Sequence, residues 1–254
     1  MNAASNSLLP GWRRRIGLIS PTVLEVISRD FYELAPDGVD LVGVTCMMEG
    51  WSADQYTLTL ERMGQAAGYL GKRGVDFIIH VGTPLVVSQS TSFGAKLIDS
   101  ISAHGSASAS TTIESALAAF GAMGLSSVAL VSPFTNELNG QLAAYIRQRG
   151  FSVPSITVVE TPSFEGLNDI RPEAIYRAVH EAARSAPTAE GFFLPCGQMR
   201  SLQIAPILEA ELGLPVLTQN AVDFWRAFEH LQITDVQPGK GMLFDRLQRR
   251  SPRK

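Results

Sequence analysis

The sequence predicts an α/β protein built from two similar Rossmann-like lobes with parallel sheets, related by a pseudo-twofold axis, with an active site in the interlobe cleft. Three observations carry this. Short apolar runs alternate with segments of helical period, the order of βα units and a parallel sheet. Gly74, Gly124, Gly150 and Gly213 each follow a helical stretch, where a left-handed cap ends a helix. One half-chain is also written twice: Ile16-Gly17-Leu18-Ile19-Ser20-Pro21-Thr22 reappears as Val128-Ala129-Leu130-Val131-Ser132-Pro133-Phe134-Thr135, an offset of 112. Asp76-Phe77-Ile78-Ile79-His80-Val81-Gly82 lines up with Glu190-Gly191-Phe192-Phe193-Leu194-Pro195-Cys196, an offset of 114.

In chain order the expected strands are Arg15–Ser20, Val39–Val44, Asp76–Val81, Ser127–Val131, Ser152–Val159, Gly191–Leu194 and Pro215–Leu217. A weakly marked strand falls in the Ser/Ala-rich run Gly105–Ala109. The expected helices are Val23–Leu34, Ala53–Lys72, Phe93–Ala103, Ile113–Met123, Asn136–Gln148, Pro172–Ser185, Gln203–Leu212 and Ala221–Leu231, each with apolar residues recurring on one face. Residues 15–114 with 219–245 read as the first lobe and 115–218 as the second. Residues 1–14 read as an N-terminal tail and 246–254 as a basic C-terminal tail.

The chain has 254 residues, enough for two lobes of about 110–120 residues each. Its apolar fraction of 45% and charged fraction of 18% are those of a chain with a packed core. A net charge of −3 supplies no field that would gather nucleic acid or an anionic membrane. The arginines at 246, 249, 250 and 253 read as a solvated tail rather than a nucleic-acid contact. No apolar run approaches the roughly 20 residues of a bilayer span, and Met1–Pro10 lacks the basic-then-apolar order of a secretory signal. Cys46 and Cys196 are 150 positions apart with no CxxC spacing, which argues against a zinc site or disulfide framework. A cytoplasmic protein with free thiols is the expected setting.

Ligands of parallel α/β sheets bind beyond the carboxyl ends of the strands. The repeat makes Gly82-Thr83 and Cys196-Gly197 equivalent strand ends that converge on one cleft. A thiol in such a turn meets backbone N–H groups that favour an anion or a thiolate, and Gly197 lets the backbone approach a ligand closely. Taken alone, Cys196 would read more readily as a small buried hydrophobe than as a catalyst; its place opposite Gly82 in the repeat shifts that reading. Thr83 is a candidate carboxylate donor, whereas Pro84 has neither hydroxyl nor N–H. Pro21-Thr22 and Pro133-Phe134-Thr135 close the first strands of the two lobes near the same cleft, as substrate contacts or helix-start signals. Ser110-Thr111-Thr112 with Glu114 reads as a helix-capping arrangement ahead of a substrate contact. Met47, Met48, Trp51 and Tyr56 follow the second strand as a lid, a substrate wall or simple packing, and His80 reads as structural. Walker loops, GxGxxG turns, HExxH and GxSxG are absent from the sequence.

The paired strand ends, the duplicated halves and the closing Gly239-Lys240-Gly241-Met242-Leu243-Phe244-Asp245 resemble the aspartate/glutamate racemase superfamily. Within it the likeness is to the arylmalonate decarboxylases, with the maleate isomerases as neighbours, and it runs from about Ile16 to Asp245. Racemases and maleate isomerases carry a cysteine on each lobe, whereas the decarboxylases keep the second and have glycine at the first. Gly82 with Cys196 matches the decarboxylase pattern.

The resemblance implies a reaction without cofactor or metal. A malonate-type substrate loses one carboxylate in an apolar pocket, and Cys196 protonates the enediolate that remains. Thr83, Gly82 and Gly197 would cradle the retained carboxylate, and Pro21, Met48, Trp51, Tyr56, Leu85, Phe164 and Leu167 would build the walls. Two departures stand out: Pro84 where the decarboxylases have serine, and Phe134 where they and the maleate isomerases have tyrosine. Losing one such hydroxyl costs about 2.7–4 kcal/mol of transition-state stabilisation, and Ser20, Ser132 and Thr135 are the candidates to replace them. The alternatives are a cis-trans isomerase or racemase, with His80 or a water standing in for the missing thiol, and a non-catalytic carboxylate-binding protein. The expected partner is a small-molecule carboxylate, not nucleic acid or a membrane, and homo-oligomerisation is left open.

Overall fold

A computed structural model describes residues 9–50, 52–90, 92–161 and 163–249. The chain forms two four-stranded sheets in which every pairing is parallel. The first has the order β2-β1-β3-β4, from β1 (Arg14–Ser20), β2 (Val39–Thr45), β3 (Phe77–His80) and β4 (Ser108–Thr111). The second repeats it as β6-β5-β7-β8, from β5 (Val128–Ser132), β6 (Ile156–Val158), β7 (Gly191–Leu194) and β8 (Val216–Thr218).

The duplication holds at the level of register. Ile16 pairs with Phe77 across β1 and β3, and the repeat-equivalent residues Val128 and Gly191 pair across β5 and β7. The carboxylates that open β3 and β7 are also matched. Asp76 Oδ2 accepts from Arg15 N at 2.7 Å, and Glu190 Oε2 accepts from Ser127 N at 3.2 Å. The central strands are deeply buried because helices cover both faces of a parallel sheet: all four residues of β3, His80 included, and of β7 are buried.

The helices are α1 (Glu25–Leu34), α2 (Ala53–Lys72), α3 (Thr83–Val87), α4 (Phe93–Gly105), α5 (Thr112–Met123), α6 (Asn136–Gln148), α7 (Pro172–Ser185), α8 (Ala205–Leu212), α9 (Gln219–His230) and α10 (Met242–Arg249). Their starts follow from side-chain caps. Thr111 accepts from Glu114 N, Thr135 from Leu138 N and Thr218 from Ala221 N, each satisfying a donor that the first turn leaves open. Gly74, Gly124, Gly150 and Gly213 all have positive φ, as their positions after helices require. Helix α9 packs against α5, α1 and β3, so the chain leaving the second sheet returns to the first.

Four expectations are corrected. The fourth strand lies at Ser108–Thr111 rather than Gly105–Ala109, because α4 runs on through Gly105 and Ser106 turns with φ 51. Strand β6 is three residues, Ile156–Val158, with a separate bridge between Ser127 and Ser152; Pro154 between them has no N–H for the ladder. Thr83-Pro84 opens a short helix instead of a plain turn, proline being tolerated in a first helical turn where no donor is needed. The basic segment 246–249 is the end of α10, whose Leu243, Phe244 and Leu247 are buried; residues 250–254 and 1–8 lie outside the described residues. No helix among the described residues is long and apolar enough to cross a membrane.

Candidate active site

The carboxyl ends of β1, β3 and β7 open on one cavity of about 60 Å³. It is lined by Ser20, Pro21 and Thr22 after β1, Val81–Leu85 after β3, and Cys196, Gly197 and Gln198 after β7, with Ile27, Met48, Phe134, Phe164, Leu167 and Gln219 completing the walls.

Gly82 has φ 127, a conformation open to glycine, and ends β3 with its carbonyl accepting from Leu85 N at 3.1 Å. A Cβ there would lie 3.1 Å from Pro21 Cγ and 3.3 Å from His80 Cε1. The next side chain, Thr83, is 1% exposed, and its hydroxyl has no hydrogen-bond partner among the described residues. An unpaired buried hydroxyl costs free energy that a bound acceptor recovers.

Cys196 is a free, buried thiol. Burial pushes it up to about 11, against the hydrogen bonds from Gln198 N and Met199 N that favour the thiolate. The unliganded site therefore holds Cys196 as a neutral S–H at pH 7. Behind it a Cβ on Gly197 would meet Gln219 Nε2 at 2.6 Å and Asn220 Oδ1 at 2.7 Å, so a side chain there would have to displace both amides. Asn220 Nδ2 donates to Gly197 O at 3.0 Å and to Asp30 Oδ2 at 2.7 Å, while Gln203 Nε2 donates to Asp30 Oδ1 at 2.9 Å. A buried carboxylate on α1 is thus linked to the cysteine turn through one amide. Burial raises Asp30 to about 6 even though both amides favour its charge.

Of the residues singled out in the sequence, Cys196, Gly197, Gly82, Thr83, Ser20, Pro21, Met48, Pro84, Leu85, Phe134, Phe164 and Leu167 line this cavity. Ser132, Thr135 and Tyr56 do not. Ser132 donates to Asn139 Oδ1 at 2.7 Å and accepts from Phe134 N at 3.0 Å, and Thr135 caps α6, so both hydroxyls serve their own turn. Tyr56 is buried on α2, packed within the core. Ser20 lines the cavity, but its hydroxyl donates to Val23 O and accepts from Thr22 N, each at 3.3 Å. These serines and threonines therefore do not replace the hydroxyls absent at Pro84 and Phe134. Trp51 lies outside the described residues. His80 is fully buried behind Gly82, is not among the lining residues, and is held neutral by burial, which lowers it to about 3.

Sequence reasoning did not name Ile27, Val81, Gln198 or Gln219 as site residues. The signal for Gln219 was its place directly after β8, a strand end like the others; Gln198 sits two residues beyond the thiol. Among the described residues no group of three or more His, Cys, Asp and Glu side chains is placed to hold a metal ion.

A family model described as arylmalonate decarboxylase matches residues 16–244. The chain belongs to this family. It is 26% identical over 237 residues to arylmalonate decarboxylase of Bordetella bronchiseptica, covering 91% of this chain and 96% of that one. It is 29% identical over 119 residues to maleate isomerase of Nocardia farcinica, covering 46% of each. Among solved structures, arylmalonate decarboxylase superposes with a TM-score of 0.81 at 24% identity, covering 91% of this chain and 99% of that one. The maleate isomerase Iso from Pseudomonas putida S16 does so with a TM-score of 0.80 at 18% identity, covering 91% and 98%. The two-lobed fold is therefore shared by both groups. The chain is an enzyme of the aspartate/glutamate racemase superfamily, in the set that includes decarboxylases and maleate isomerases.

Proposed function

We propose that the protein is a cofactor-independent decarboxylase of a small malonate-type carboxylate. The observation that carries this reading is the unequal pair of strand ends in one cavity: a protonated thiol at Cys196 and, at the repeat-equivalent place, Gly82. One proton donor on one face completes a decarboxylation, whereas racemisation needs a base on one face and an acid on the other.

In this reading the retained carboxylate is held by the Thr83 hydroxyl and the Gly197 N–H. The departing carboxylate lies against Met48, Leu85, Phe164 and Leu167. Among these apolar walls a carboxylate is poorly solvated while departing carbon dioxide is not, which favours breaking the C–C bond. The bonding pair stays on the substrate as an enediolate, whose growing oxyanion charge the donors stabilise. The Cys196 S–H then gives its proton to the α-carbon, and the thiolate is reprotonated from water. Atoms and charge balance with no added reductant, and the raised thiol suits an acid better than a nucleophile.

The test is incubation in deuterated buffer with a panel of substituted malonates, maleate and amino acids. Carbon dioxide release with one deuterium placed at the α-carbon is expected from a malonate. Conversion of maleate to fumarate, or α-exchange of an amino acid without carbon dioxide, would overturn the reading.

A further inference from the structure

Beyond the cavity the cleft widens into a vestibule of about 580 Å³ that shares Thr22, Met48, Phe164, Leu167 and Gln198 with it. Its lining is one-sided. Glu25, Glu49, Glu165 and Asp169 contribute four carboxylates, and among the described residues no Lys, Arg or His lines it. Arg62 binds the loop through the backbone carbonyls of Cys46 and Met47.

Gln198 stands where the cavity meets the vestibule and is 7% exposed. Its amide orientation is dictated by its neighbour: Val23 O only accepts, so the group 2.7 Å from it is Nε2. The other end, Oε1, is then an acceptor with no partner among the described residues, as is Oδ1 of the vestibule residue Asn168. Two buried acceptors without donors beside four carboxylates form a surface short of hydrogen-bond donors.

We infer that the substrate's α-substituent carries a hydrogen-bond donor, preferably an ammonium group, that is received by Gln198 Oε1 and the acidic vestibule. The inference rests on the malonate reading for how the reacting end is seated. Gln198 is a specificity residue in this scheme and takes no part in the bond-breaking step. An anionic substituent is excluded by the four carboxylates, and an aliphatic one leaves Oε1 unsatisfied.

Three probes of similar size separate the possibilities: 2-(2-aminoethyl)malonate, 2-propylmalonate and 2-(carboxymethyl)malonate. For each, carbon dioxide release gives kcat/KM and calorimetry gives Kd. The amino probe is expected to exceed the propyl probe by about tenfold or more, the size of one hydrogen bond to a buried acceptor, with the carboxylated probe weakest. The amino-to-propyl ratio measured within each variant should collapse towards unity in Gln198→Leu and in Gln198→Met. Raising salt should reduce the vestibule's share of the preference. Equal values for amino and propyl probes on the parent protein overturn the inference, whatever the variants do. If no probe releases carbon dioxide but the amino probe still binds more tightly through Gln198, the malonate reading fails and the donor site stands.

Discussion

Gly82 and Cys196 end the matching strands β3 and β7 and line one cavity, so a duplicated backbone presents a bare turn on one wall and a thiol on the other. The consequences of that asymmetry can be measured.

Replacing the thiol should stop the chemistry and spare the fold. Cys196→Ala and Cys196→Ser are expected to lower turnover of a responsive malonate by about 10²–10⁴-fold, the usual contribution of a positioned acid, with a thermal midpoint close to the parent. Cys196→Ala working at the parent rate would remove the thiol from the mechanism.

The raised thiol also predicts sluggish reactivity. A group held at about 11 is roughly one part in a thousand thiolate at pH 8. Alkylation of Cys196 by iodoacetamide at pH 8 should therefore be much slower than that of a cysteine peptide, as read by mass spectrometry. Fast, selective labelling would show a thiolate and favour base or nucleophile chemistry.

Gly82→Cys restores a second thiol at a strained position. With φ 127 and a Cβ 3.1 Å from Pro21 Cγ, the change should cost about 1–3 kcal/mol, seen as a lower thermal midpoint. In the folded variant α-proton exchange of a chiral carboxylate should appear or rise. Folded protein with no gain in exchange would mean that the two strand ends do not address opposite faces of one substrate.

Phe134→Tyr puts a hydroxyl on the cavity wall where the family resemblance expects one. Turnover of substituted malonates should rise, by up to about 10²-fold if the hydroxyl reaches the developing oxyanion. An unchanged kcat would indicate that Gln219 or another donor already fills that role.

Asp30 gives the fold a pH signature. Its carboxyl is raised from 3.8 to about 6 in the folded chain, so the folded state holds this proton more firmly than the unfolded one. The associated stability is complete below the unfolded value and is lost as pH rises through about 6. The stability of the parent relative to Asp30→Asn should therefore fall by about 2 kcal/mol between about pH 4 and pH 7. A flat difference in denaturant titrations would assign the titration elsewhere.

How much of this was legible beforehand can be judged residue by residue. The spans Ala53–Lys72, Asn136–Gln148, Pro172–Ser185 and Gly191–Leu194 were all readable, because apolar period, caps and glycine stops act within a few residues of chain. The duplication was readable for a related reason. The offsets of 112 and 114 residues align equal strand positions, and equal strands paired in equal order put Ile16 against Phe77 and Val128 against Gly191. The positions of Cys196 and Gly82 at strand ends followed directly.

Partner choice was not readable. Ser20, Ser132 and Thr135 are plausible donors as residue types, yet each is engaged within a few residues of its own turn, while Thr83 is left unpaired. Strand β4, poor in β-formers, exists because β3 offers it a ladder. Asp30 and Asn220, 190 positions apart, meet behind Gly197 only when α9 packs back against α1. A side chain's period and cap are local properties of the chain, but whether its polar atom is spent or free depends on groups delivered from distant segments, and that is settled when the core packs.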